Sequence, residues 1–320
     1  MAFQRLLPLV ALLGLFVAPP SSAVPSLHPV VLVPGNTCNQ LEARLTDEYE
    51  PPPATGCRVP RQGWGWFRLW ENFTALQEDP SLFLNVCMEG LVEALERVGY
   101  REGENLFGAP YDFRYAPAAP GLASPAFSGF SSSLRHLMER ASQRNGNKPV
   151  VLVTHSLGGL FDTVFLDQTP LRWRRRVYGR TPLVITRDRN YSAEDMAEYL
   201  TAAGFSEDEV ARYRTRALPV TLNLRAPLVP MTAMNGIGVP TVDKLVFWDG
   251  NFSGKPQLVN GDGDGQINLE TVLALQRLVG ADPDQPYFKS ILIPNTTHKG
   301  MISDESALKR VVSEILGASS

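Results

Sequence analysis

Pro149-Val150-Val151-Leu152-Val153-Thr154-His155-Ser156-Leu157-Gly158-Gly159-Leu160-Phe161 reads as an apolar strand, a serine-centred turn and the start of a helix. The Val/Leu run lacks the in–out alternation of a half-solvated strand, so it suits burial on both faces of a parallel sheet. A sharp bend from such a strand into a helix holds a serine hydroxyl clear of the backbone. There the hydroxyl can attack an ester carbonyl while the helix N-terminus faces the developing oxyanion. The turn expects glycine two residues before the serine. This chain has Thr154, whose β-branch crowds the bend.

Working outward, the other parts follow in the order of an α/β-hydrolase, acid after serine and histidine after acid. Of the four histidines, His28 begins a strand near the N-terminus, His136 lies in a helical stretch before the serine, and His155 adjoins it, where neighbouring side chains point apart. His298 remains, in Asn295-Thr296-Thr297-His298-Lys299-Gly300 just past the strand-like Ser290-Ile291-Leu292-Ile293-Pro294. Asn260-Gly261-Asp262-Gly263-Asp264-Gly265 supplies the acid, its glycines allowing the tight turns that present a carboxylate to an imidazole. Asp264 and Asp262 both compete for that role, with Asp249 a weaker third. The run lacks the ligand spacing of an EF-hand calcium loop, and no metal or organic cofactor is expected. For the oxyanion hole, one N–H comes from Leu157. A second comes from the loop after His28-Pro29-Val30-Val31-Leu32-Val33-Pro34-Gly35, with Asn36 as the donor.

Strand-like apolar runs alternate with helical ones at Glu89–Val98, Leu269–Leu278 and Ala307–Leu316. That alternation predicts an α/β fold with a mostly parallel sheet covered by helices on both faces. Residues 1–23 read as a signal peptide, with Arg5, the apolar Leu6–Val17 and the small Ser21-Ser22-Ala23, leaving 24–320 as a single domain. The apolar run is too short for a confident membrane span. Acceptor sequons at Asn72, Asn190, Asn251 and Asn295 agree with the secretory pathway and an extracellular, vacuolar or endomembrane destination. A net charge of −3 gives no reason to expect nucleic acid as a partner.

Three cysteines in an oxidising compartment leave at least one unpaired. A Cys38–Cys57 bridge would close a loop after the oxyanion strand, and Cys87 reads as a buried free thiol. Trp64, Trp66, Phe67 and Trp70 crowd one short stretch of the segment at about 37–86. Such amphipathic aromatics suit an acyl-binding wall or a surface touching lipid peripherally. Arg172-Trp173-Arg174-Arg175-Arg176 has two readings, contact with anionic lipid and, ahead of it, a solvated helix end that complements the dipole.

Val33-Pro34-Gly35-Asn36 with Asn39-Gln40-Leu41-Glu42, Gly108-Ala109-Pro110-Tyr111-Asp112, His155-Ser156-Leu157-Gly158-Gly159, Asn190-Tyr191-Ser192 and the Gly-Asp-Gly-Asp-Gly run stand in one order over residues 28–310. Together they resemble the lecithin:cholesterol acyltransferase-like family, plant-type members foremost, related to lysosomal phospholipase. The resemblance implies acyl-ester chemistry on phospholipid, with water or an alcohol such as a sterol as acceptor. It puts Asp264 ahead of Asp262 and makes Ser156, Asp264 and His298 the triad. In that family the cysteine matching Cys57 is half of a lid disulfide whose partner falls in a segment missing here. Two departures stand out. Pro80-Ser81-Leu82-Phe83-Leu84-Asn85 runs almost directly into the helix at Met88, which predicts a shortened cap. Arg174-Arg175-Arg176-Val177-Tyr178-Gly179 passes straight to Thr181-Pro182-Leu183-Val184-Ile185, where the family has a sheet strand and a lid. Either Leu183–Thr186 fills that central slot or the slot is empty. An empty one would suit an impaired lipid-binding relative or an incomplete gene product.

Overall fold

Val30–Val33 is buried along its whole length, and the architecture is built around it. The computed structural model describes residues 27–36, 42–44, 66–68, 88–166 (except 114, 116, 118 and 120), 180–222 and 227–319. In chain order the first half holds β1 (Val30–Val33), β2 (Glu42–Arg44), β3 (Trp66–Arg68), α1 (Glu89–Glu96), β4 (Leu106–Gly108), α2 (Pro125–Arg144), β5 (Val151–Thr154) and α3 (Leu157–Leu166). Next come β6 (Val184–Ile185), β7 (Asn190–Tyr191), α4 (Met196–Ala202), α5 (Glu207–Arg212) and α6 (Leu218–Leu222). The last part holds β8 (Met231–Ile237), β9 (Val239–Val246), β10 (Gln257–Gly263), α7 (Leu269–Gly280), β11 (Phe288–Pro294) and α8 (Glu305–Gly317).

β1 lies between β4 and β5, parallel to both. Its side chains alternate between faces, and both faces are covered. Val30 and Leu32 pack with Leu91 and Leu95 of α1 and Leu308, Val311 and Ile315 of α8. Val31 and Val33 pack with Phe130 and Leu134 of α2 and Phe161 and Phe165 of α3. Each such side chain contributes about 1.5–3 kcal/mol on burial, so this strand anchors two cores at once. Ser124 sets the start of α2: its hydroxyl accepts from the Phe127 N–H, and Pro125 occupies the first turn, where no N–H is needed.

The α/β character and parallel pairing agree with the expectation from sequence, but the continuity of the sheet does not. Among the described residues, the strands fall into separate sheets ordered β4-β1-β5, β10-β9-β6-β7, β11-β8 and β2-β3. β8 and β11 run parallel, and so do β6 and β9, whereas β9–β10, β6–β7 and β2–β3 are antiparallel. β5 pairs with β1 on one side, and no described strand is hydrogen-bonded to its other side. Val184–Ile185 does not fill that position. It docks on β9, with the Leu245 N–H donating to the Leu183 carbonyl and the Phe247 N–H to the Ile185 carbonyl. The two parallel pieces are held together through a shared core: Val151 and Val153 of β5, Met234 of β8 and Ile293 of β11 all pack on the cluster formed with α1 and α8.

Candidate active site

Ser156 sits between β5 and α3 with φ 53°, a left-handed conformation that strains any residue carrying a Cβ. Its side chain is exposed. The turn is pinned on both sides: the His155 N–H donates to the Val33 carbonyl (3.1 Å) and the Gly158 N–H to the His155 carbonyl (3.0 Å). A Cβ on Gly158 would come within 2.6 Å of the Val33 carbonyl oxygen, so only glycine lets α3 start this close to β1. Thr154 is accommodated because its side chain is exposed and Gly159 leaves it room; a Cβ there would lie 3.3 Å from the Thr154 hydroxyl. The loop bearing Asn36 meets the same turn, since a Cβ on Gly35 would lie 3.0 Å from the Ser156 Cβ.

Asp264 follows the end of β10 and is 5% exposed. One carboxylate oxygen accepts the N–H groups of Gln266 (2.9 Å) and Ile267 (2.7 Å). The other accepts Nδ1–H of His298 at 2.8 Å. Burial pushes the carboxyl upward, but the His298 hydrogen bond and the two amides outweigh it and hold it below the ordinary value. His298 lies in the loop after β11, its main-chain N–H donating to the Asp264 carbonyl at 2.7 Å. With Nδ1 carrying the proton, Nε2 presents a lone pair; it is buried and has no partner among the described residues. Nε2 is thus left able to accept a hydrogen bond.

The rival acids are used otherwise. Asp262 is exposed and caps Gly238, whose N–H donates to it at 2.6 Å. Asp249 is exposed and accepts the Asn251 N–H (3.0 Å) in a local turn. Asn190, Asn251 and Asn295 are exposed. Trp64, Trp70, Cys38, Cys57, Cys87, Asn72 and residues 1–23 lie outside the described residues. Trp66 and Phe67 belong to β3, which pairs with β2, and their side chains also lie outside them.

Two residues are given no role by the sequence: His155 is set aside there as the neighbour of the serine, and Asp162 is not singled out. The His155 ring packs on His298, with centroids 4.8 Å apart, and its Nε2–H donates to the His298 main-chain carbonyl at 3.0 Å. Asp162, one turn beyond Gly158 on the buried face of α3, is 3% exposed, and neither carboxylate oxygen has a partner among the described residues. Burial raises its carboxyl to about 8. The signal was present in the sequence: Asp162 is the lone charge in Leu157-Gly158-Gly159-Leu160-Phe161-Asp162-Thr163-Val164-Phe165-Leu166.

The family model for lecithin:cholesterol acyltransferase matches residues 79–177, which include the serine turn. A lecithin-cholesterol acyltransferase-like 1 of Oryza sativa subsp. japonica is 34% identical, over 90% of this chain and 86% of that one. The Arabidopsis thaliana protein of that name is 30% identical, over 91% and 90%. The Homo sapiens lysosomal phospholipase A and acyltransferase is 24% identical, over 96% and 95%. The rice alignment runs over 380 positions where this chain has 320 residues, so at least 60 positions of the relative have no counterpart here. With its likeness to the rice protein spread over nine-tenths of its length, the chain belongs to the lecithin:cholesterol acyltransferase family.

Proposed function

We propose that this protein is a serine acylhydrolase and O-acyltransferase acting on acyl esters of glycerophospholipids. Ser156 Oγ attacks the ester carbonyl as His298 Nε2 takes its proton. Asp264 stays ionised, fixes the tautomer and stabilises the imidazolium. The N–H groups of Asn36 and Leu157 hold the tetrahedral oxyanion. Collapse expels the lysophospholipid, protonated by His298, and leaves an acyl-serine. Water or an alcohol such as a sterol then attacks that ester while His298 takes its proton; the acyl–Oγ bond breaks as His298 returns the proton to Ser156 Oγ, leaving the acyl group on the acceptor. No step calls for a metal.

The observation that carries this reading is the pairing of a strained, exposed Ser156 with a histidine whose Nδ1–H is committed to a buried carboxylate. Relatives named as acyltransferases and as phospholipase A support both fates of the acyl-enzyme. The leader at 1–23, the exposed asparagines of three sequons and a lysosomal relative support a lumenal or secreted protein. Among the described residues, no helix is long and apolar enough to cross a membrane. The aromatic stretch at 64–70 is the proposed contact with lipid.

A fluorophosphonate probe tests the reading: secreted, folded protein should be labelled, and Ser156→Ala should not. Unlabelled enzyme should release fatty acid from phosphatidylcholine vesicles, or transfer the acyl group to an added sterol, and prior labelling should abolish both. A folded wild-type protein that stays unlabelled would sink it. One observation favours a second reading, a lipid-binding relative without turnover, namely the side of β5 that has no strand partner among the described residues. Equal vesicle binding by wild type and Ser156→Ala, with turnover in neither, would establish that alternative.

A further inference from the structure

We propose that His155 is a positioning residue that ties the base loop to the nucleophile turn, where no described strand joins β5 to β8. This rests on the reading of Ser156 as nucleophile and His298 as base. In a continuous parallel sheet, ladder hydrogen bonds would transmit register from the serine-bearing strand to the strands that lead to acid and base. Among the described residues no such ladder runs from β5 to β8 or β11. What crosses instead is a side chain. Both main-chain polar groups of His298 are held: its N–H by the Asp264 carbonyl at 2.7 Å, its C=O by His155 Nε2–H at 3.0 Å. The base is therefore tied through one bond to its acid and through the other to the residue before its nucleophile.

The ring contact at 4.8 Å adds a packed surface to that bond. His155 is also fixed from behind. Its own N–H is bonded to Val33 of β1, and its Nδ1 lies against Gly35, where a Cβ would approach within 3.0 Å. Three loops thus converge on one imidazole: the oxyanion loop, the serine turn and the base loop. The neutral Nε2–H tautomer is the one this arrangement needs, because a carbonyl can only accept. His155 touches no reacting atom. Its effect is on where His298 Nε2 sits relative to Ser156 Oγ, a distance to which proton transfer is steeply sensitive.

The test compares His155→Leu, which keeps bulk without the donor, His155→Gln, whose amide N–H can reach the same carbonyl, and His155→Asn, one methylene shorter. Turnover of phosphatidylcholine vesicles should show kcat reduced on the order of 10-fold to 100-fold in the Leu and Asn variants, with KM unchanged and most activity recovered in Gln. Wild-type kcat in His155→Leu, or equal losses in Gln and Asn, would overturn the proposal. Should the Leu variant fail to fold, the Gln–Asn pair decides alone. A readout independent of turnover is the downfield proton of the His298–Asp264 hydrogen bond. It should persist in Gln and broaden or move in Asn. That pattern in a wild-type protein lacking turnover would support the positioning role while removing the hydrolase reading.

Discussion

Among single residues, Asp162 and Asp264 show how one functional group is driven in opposite directions by its surroundings. Asp264 is buried but accepts two amides and an imidazole N–H, and it stays ionised. Asp162 is buried with no partner among the described residues, and its carboxyl rises to about 8. In the unfolded chain Asp162 ionises near the ordinary carboxylate value, so between that value and about 8 the folded state holds a proton the unfolded state has released. Stability therefore falls as pH rises through this window, by up to about 1.4 kcal/mol per pH unit. Asp162→Leu should raise the melting temperature, and the gain should be larger at pH 7.5 than at pH 5; a gain independent of pH would refute the assignment. For Asp264→Asn the fold should survive, because the amide oxygen can still accept from Gln266 and Ile267. Turnover should drop by about 10³–10⁴, since the imidazole loses the partner that sets its tautomer. Steady-state kinetics on vesicles, beside a thermal melt, checks both halves of that expectation.

For the elements, α3 matters through the closeness of its first turn to β1. Gly158→Ala places a methyl against the Pro34 and Val33 carbonyls, at 2.5 and 2.6 Å before any relaxation. The helix must back away, at a cost of about 1–3 kcal/mol. Because Leu157 and the Asn36 loop face each other over that contact, the proposed oxyanion hole should open. Fluorophosphonate labelling should slow by about 10²–10³, the usual consequence of one lost donor, and labelling at the wild-type rate would show that the helix N-terminus is not part of the hole. α1 has a purely structural role: Leu91 is 0% exposed between β1 and α8. Leu91→Ala should cost about 2–5 kcal/mol in a denaturant melt while leaving the labelling rate per folded molecule unchanged.

Over the whole molecule, the separation of the described parallel strands into distinct sheets is the defining feature. The Val151 and His155 N–H groups donate to Pro29 and Val33. By strand alternation, the intervening Leu152 and Thr154 N–H groups point to the side where no described strand is bonded. Hydrogen exchange should find these two amides much faster than their neighbours, and protection of all alike would show that a strand does sit there. Among the described residues, the shared core on α1 and α8, not a hydrogen-bonded ladder, holds β5 to β8 and β11. Ser156, the order of acid and base, and the apolar run of β1 were legible in the chain because strand–serine–glycine chemistry and two-faced burial are local patterns. The choice of Asp264 over Asp262 needed the resemblance to a family, as the spacing of the two is nearly the same; the fold then brings one to His298 and leaves the other exposed. Two things were decided by tertiary structure alone. Val184–Ile185 is apolar enough for a central strand, yet it pairs with β9, because strand pairing is a long-range matching of backbone groups that side-chain pattern does not encode. His155 meets His298 across 143 positions of sequence, and only the convergence of three strand ends brings an imidazole beside the serine into contact with the one proposed as its base.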